Sequence, residues 1–151
     1  LGKTLEEYTE DVREFTRDIA SHNRLLRFEE EFTDAEIERA INKALAKFNG
    51  IPPRIGEYTL ATFPDDSLIV DMATCQILKM TGLQKTRNTL NYSDGGLTVA
   101  DTEKVGLYMN WANSLCQMAL AEAKELKMVL NAEEMLTNAK GIGSDYGRLE
   151  W

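Results

Sequence analysis

Val105, Tyr108, Met109, Ala112, Leu115, Cys116, Ala119, Leu120, Ala123 and Leu126 recur at three-four spacing, which places them on one stripe of a single helix. The pattern predicts a helix from about residue 101 to about residue 130, about 45 Å long at 1.5 Å per residue. A rod of that length outruns the core that a chain of 151 residues can build. Part of its surface is therefore expected to meet something other than its own short helices, or to be solvated at its ends.

Three shorter helices precede it. Leu5, Tyr8, Val12, Phe15 and Ile19 form a stripe that predicts a helix over about 5–21, opened by a capping box of Thr4 and Glu7. Thr33 and Glu36 form a second box, and Phe32 is placed to staple onto Ile37. Ile37, Ala40, Ile41, Ala44, Leu45 and Phe48 follow as a buried stripe. Asn49-Gly50 is expected to stop that helix in a left-handed turn, and Pro52-Pro53 bars its continuation. Residues 51–63 are expected to be an extended connector, with EYTLATF as a candidate strand. A third helix begins at Phe63-Pro64-Asp65-Asp66-Ser67, presents Leu68, Ile69, Met72, Ala73, Ile77 and Met80, and is expected to end near Gly82.

The stretch TLNYSDGGLTVADTEK admits two readings. As a calcium loop it has Asn91, Ser93 and Gly95 at donor spacing and Gly96 at the turn. Gly95 offers no side-chain oxygen, however, and Thr102 stands where a bidentate acid is needed. The β-hairpin reading is preferred: Leu90 and Tyr92 alternate on one arm, Leu97 and Val99 on the other, around Asp94-Gly95-Gly96. Residues 131–151 are expected to form an extended tail: AEEMLTNA either prolongs the helix or forms one more turn, after which Gly141, Gly143 and Gly147 interrupt regular structure. Yet this tail carries Ile142, Tyr146, Leu149 and Trp151. Ordering it costs roughly 1–2 kcal/mol per residue in backbone entropy, and burying each of those side chains returns about 1.5–3 kcal/mol. Docking on another chain, folding back on its own domain and fraying all remain open for it.

The expected fold is mainly α: a four-helix bundle-like domain over 1–130, a small hairpin insertion at about 89–99, and an extended C-terminal segment over 131–151. The formal net charge of −8 comes from 25 acids against 17 bases, with no basic face on which to neutralise phosphates. DNA that comes near such a chain is expected to pass without sticking. Cys75 and Cys116 both fall within apolar helical patterns, which predicts buried free thiols in a reducing compartment. No basic-then-apolar leader and no apolar run of membrane-spanning length are present, so a soluble chain is expected; Leu1 in place of Met leaves upstream residues an open question.

Catalytic equipment is sparse. His22 is the only histidine, so neither a histidine-rich zinc site nor a di-iron bundle can be assembled within one chain. The acids lie mostly on helix exteriors, and no phosphate loop is present. No enzyme activity, cofactor or metal is expected.

The order of elements, from FTDAEIERAINKALAKFNGIPP through FPDDSLIVDMATCQIL and NYSDGGLTVADTEK to the long closing helix, resembles the head-to-tail connector (adaptor) proteins of tailed bacteriophages. The resemblance covers about residues 30–151. It implies a twelve-membered homo-oligomeric ring beneath the portal protein, a further neck or tail protein below, and DNA passing through the channel without specific binding. It places the chain in the virion neck, and in the host cytoplasm during assembly, away from membranes. Carried onto this sequence, it implies residues 101–130 as the wall helix. Tyr92, Asp94, Gly95, Gly96 and Leu97 become a hairpin projecting towards a neighbour, and Ile142, Tyr146, Leu149 and Trp151 the anchors of a docking peptide. Other readings are a different neck or tail-completion protein, a monomeric helical interaction domain, and, remotely, a hydrolase using His22 with a cysteine.

Overall fold

The computed structural model describes residues 2–23, 26–54, 56–88, 91–94, 97–100 and 102–146; side chains are described for all of these except 91–103 and 138–146. The chain is mainly helical, as its patterning predicts. Four helices, α1 (Leu5–Thr16), α2 (Asp34–Gly50), α3 (Asp66–Arg87) and α4 (Thr102–Tyr146), are joined in part by two short 3-10 turns at Ala20–His22 and Leu60–Thr62. Between α3 and α4, β1 (Asn91–Asp94) pairs antiparallel with β2 (Leu97–Ala100), with Tyr92 opposite Val99 and Asp94 opposite Leu97. Gly95 and Gly96 lie outside the described residues.

Both expected capping boxes form, Thr4 with Glu7 and Thr33 with Glu36, each satisfying two backbone N–H groups that the first turn leaves orphaned. The α1 helix is shorter than its stripe implies. Arg17 takes a left-handed conformation (φ 56°) and closes the helix at Thr16. The competing demand comes from Asp18, which turns inward. Its carboxylate accepts from the backbone N–H groups of Glu31 (2.7 Å) and Phe32 (2.9 Å) and from Asn23 Nδ2 (2.6 Å), and it pairs with Arg13 at 3.2 Å. Arg13 also donates to the Phe32 carbonyl and to Asp34. This knot pins the segment before α2 onto the end of α1.

The end of α2 also departs from expectation. Asn49 stays helical and Ile51, in an extended conformation, caps the helix. The Asn49 amide clamps the backbone of Tyr58 from both sides, donating to its carbonyl at 2.9 Å and accepting from its N–H at 3.0 Å. The candidate strand EYTLATF is instead irregular up to a 3-10 turn at Leu60–Thr62. Its backbone is held by a side chain and so needs no neighbouring strand.

Asp65 caps α3, accepting from the N–H groups of Ser67 and Leu68, and the helix runs past Gly82 to Arg87. Gly82 is a place of close approach: a Cβ there would come within 2.5 Å of Met109 Sδ on α4. The stop signal at this position is a contact between helices.

The centre of the fold is α3, which packs against α1, α2 and α4. Its Leu68, Ile69, Met72, Ala73 and Ile77 meet Tyr8 and Val12 of α1, the Ile37–Phe48 stripe of α2, and Ala119 and Ala123 of α4 in one core cluster. Phe48 stacks edge-on with Phe63 (centroids 4.7 Å apart) and Tyr58 (5.7 Å).

Two expectations are corrected on α4. Cys75 and Cys116 are not free thiols: they form a disulfide between α3 and α4, with Cα atoms 5.2 Å apart, inside the range a disulfide spans. Periodicity places each cysteine on a stripe but does not show that the two stripes face one another. The second correction concerns the helix end. It does not give way to an extended segment at residue 131 but continues through 45 residues to Tyr146, about 67 Å at 1.5 Å per residue. A glycine inside a helix costs about 1 kcal/mol relative to alanine. That is too little to end a helix already nucleated and propagating through AEEMLTNAK.

Candidate interaction surface

The inner face of α4 is spent on its own chain. Ala112, Cys116, Ala119, Ala123 and Lys127 are buried, and the three alanines among them let the helix lie close on α3. The opposite face carries a second apolar row, interrupted by Asn110, Ser114, Gln117 and Glu125. Leu107, Trp111, Met118, Met128, Val129, Met135 and Leu136 are all exposed, Trp111 by 68%. At about 100° per residue these seven side chains fall within an arc of about 120°. A helix apolar on two faces, only one of them covered by its own fold, presents surface for a second partner.

The proximal part of this face opens into a groove of about 590 Å³ between α1, α3 and α4. Phe15, Phe32, Leu78, Trp111, Leu115 and Met118 supply its apolar lining, and Lys104 and Glu31 its charges. Phe15, expected in the core, is instead 54% exposed here, because α1 ends one residue later and turns away. Thr74 also lines the groove; its Oγ1 is buried and has no hydrogen-bond partner among the described residues. Beyond the groove, Lys85 sits 5.1 Å over the Tyr108 ring and 3.7 Å from Glu31. From residue 132 to residue 137 every side chain of α4 is exposed, so the helix there has left its own domain.

Lys127 is the other unusual group. It is fully buried, its Nζ lies 4.7 Å from the Phe48 ring centre and 5.2 Å from that of Tyr58, and it finds no hydrogen-bond partner among the described residues. Burial lowers its pKa from the usual lysine value. The folded chain therefore releases this proton more readily than the unfolded chain. The resulting penalty is complete below the folded pKa and is relieved as pH rises through it towards the free-lysine range. Lys127→Met is expected to stabilise the fold at neutral pH by on the order of 1 kcal/mol, since the cation–π attraction only partly offsets desolvation. Thermal unfolding of both proteins across the alkaline range checks this: the difference between them should shrink as pH rises. A variant less stable than the parent at neutral pH would refute it.

The residues expected to bind partners are placed unevenly. Ile142 and Tyr146 belong to α4, not to an extended segment, and their side chains are outside the described set; Leu149 and Trp151 lie outside the described residues altogether. Tyr92, Asp94 and Leu97 belong to the paired strands. Of these residues, Asp94 and Leu97 stand opposite one another in the strand pairing. Sequence reasoning missed the outward row. Its signal was present as a second three-four series through Leu107, Trp111, Ser114, Met118 and Ala121, masked by the stronger inward stripe.

Among the described residues no cluster of His, Cys, Asp or Glu could hold a metal ion, and no helix is long and apolar enough to cross a membrane. No protein-family model, curated protein or solved structure matches this chain.

Proposed function

We propose that this chain is a structural subunit of a phage head-to-tail connector ring that docks under a portal and forms part of the DNA channel. The observation that carries the reading is the uncovered apolar row on α4, surface that a working assembly would hide. The acidic balance of the chain, with Glu122, Glu125, Glu133 and Glu134 exposed on the same helix, suits a wall past which DNA slides without adhering. The finer architecture belongs to this reading: a bundle-like helical domain over residues 1–130, a hairpin that projects towards a neighbour, and a docking peptide at the C-terminus. So do the twelve-fold ring, the neck protein below and the place in the virion.

Deleting residues 141–151 is expected to remove only the last turns of α4 from the circular dichroism signal while abolishing attachment to portal particles, read by electron microscopy of the mixture. A folded, truncated chain that decorates portals as well as the parent would refute the docking role. The groove by itself favours a second reading, a monomeric helical domain that takes one peptide. A stable monomer in sedimentation even with portal present would favour it.

A further inference from the structure

We infer that the distal part of α4, residues 128–137, of one copy docks into the α1/α3/α4 groove of a second copy, so that subunits join head to tail. The inference rests on the assembly reading above for the existence of contacts between copies. The choice of surfaces rests on the chain itself.

The two surfaces match in kind. The groove is concave, apolar and within the size range of sites that accept a few large side chains. The distal helix carries Met128, Val129, Met135 and Leu136 exposed, two pairs seven residues apart that fall within an arc of about 120° and give the helix one apolar side to lay into such a groove. Their charges are complementary: Glu31 of the groove lining is matched by Lys85 at 3.7 Å, Lys104 of the same lining has no ion-pair partner among the described residues, and Glu133 flanks the distal row. Thr74 adds an unpartnered buried hydroxyl to the lining.

A chain cannot satisfy this pairing alone. Trp111 in the groove and Met135 on the distal helix are 24 residues apart on one continuous helix, about 36 Å along its axis. A rigid rod cannot bring its own far end back to its near end. The groove of each copy is thus open to the distal helix of another. Because the two contacting surfaces differ, the contact is heterologous, and repeating it closes a ring or extends a filament.

Two exposed substitutions test this without endangering the core. Trp111→Glu spoils the groove and leaves the distal helix intact; Met135→Glu does the reverse. Each variant should keep parental helix content. Sedimentation at the highest soluble concentration should show the parent associating, each variant alone monomeric, and an equal mixture of the two forming dimers that grow no further, since one intact pair of surfaces remains between them. A parent that stays monomeric overturns the inference. So do variants that associate like the parent, which would place the contact elsewhere while leaving the ring reading intact, and a mixture that yields no dimer, which would mean the two surfaces do not meet each other. Mixed dimers from a protein that ignores portal particles would keep the pairing and refute the connector reading.

Discussion

Asp18→Ala is expected to destabilise the fold by about 3 kcal/mol, a large effect for one side chain outside the hydrophobic core. The carboxylate is 4% exposed and holds four partners at once: Arg13, the Asn23 amide, and the backbone N–H groups of Glu31 and Phe32. Removing it leaves two part-buried backbone donors without an acceptor, which together cost about 1–3 kcal/mol. It also takes from Arg13 its buried partner, although Asp34 and Glu30 still face that guanidinium. Asp18→Asn should recover little, because the amide turns a donor towards donors. Urea unfolding measures both variants. A loss below about 1 kcal/mol for the alanine variant would mean that the segment before α2 is held by something else.

Breaking the Cys75–Cys116 bond, by reductant or by the double serine variant, is expected to cost about 2–4 kcal/mol. The bond closes a loop with a sequence separation of 41, and in the chain-entropy account a loop of that size is worth close to 4 kcal/mol, from which native strain subtracts. Its position adds to its weight. Apart from Ala119 and Ala123, the buried core cluster takes its members from the first 77 residues, with Leu120, Leu126 and Leu130 of α4 packed half-buried against it, so the disulfide ties covalently a helix that gives the core few fully buried large side chains. Thermal unfolding with and without reductant checks the value; identical midpoints would show that the two sulfurs are not joined in solution.

What could be read beforehand follows the range of the forces involved. Helix starts were legible because a capping box is written within four residues, and Thr4/Glu7 and Thr33/Glu36 both form. Helix ends were not, because they answer to distant groups. The knot around Asp18 cuts α1 short, the Asn49 clamp on Tyr58 replaces a left-handed stop, and Gly82 accommodates α4 rather than ending α3. The stripes of α2 and α3 were legible in the sequence, apart from Met80, which is exposed; which stripes face one another was not, and the disulfide was missed for that reason. Of the interaction surface, the long helix and its excess of apolar residues were legible. The groove was not, since it is built from three helices whose arrangement only the folded chain displays.

The unbroken course of α4 makes it a ruler. Each residue added to it or lost from it moves everything downstream by about 1.5 Å and turns it by about 100°, so a single insertion would swing Met128, Met135 and Leu136 away from whatever meets Trp111 and Met118. Steps of about seven or eleven residues bring the same side round again, within about 20°. The reach of this arm is therefore quantised, and in the proposed assembly the spacing between copies would change in steps of about 10 or about 16 Å.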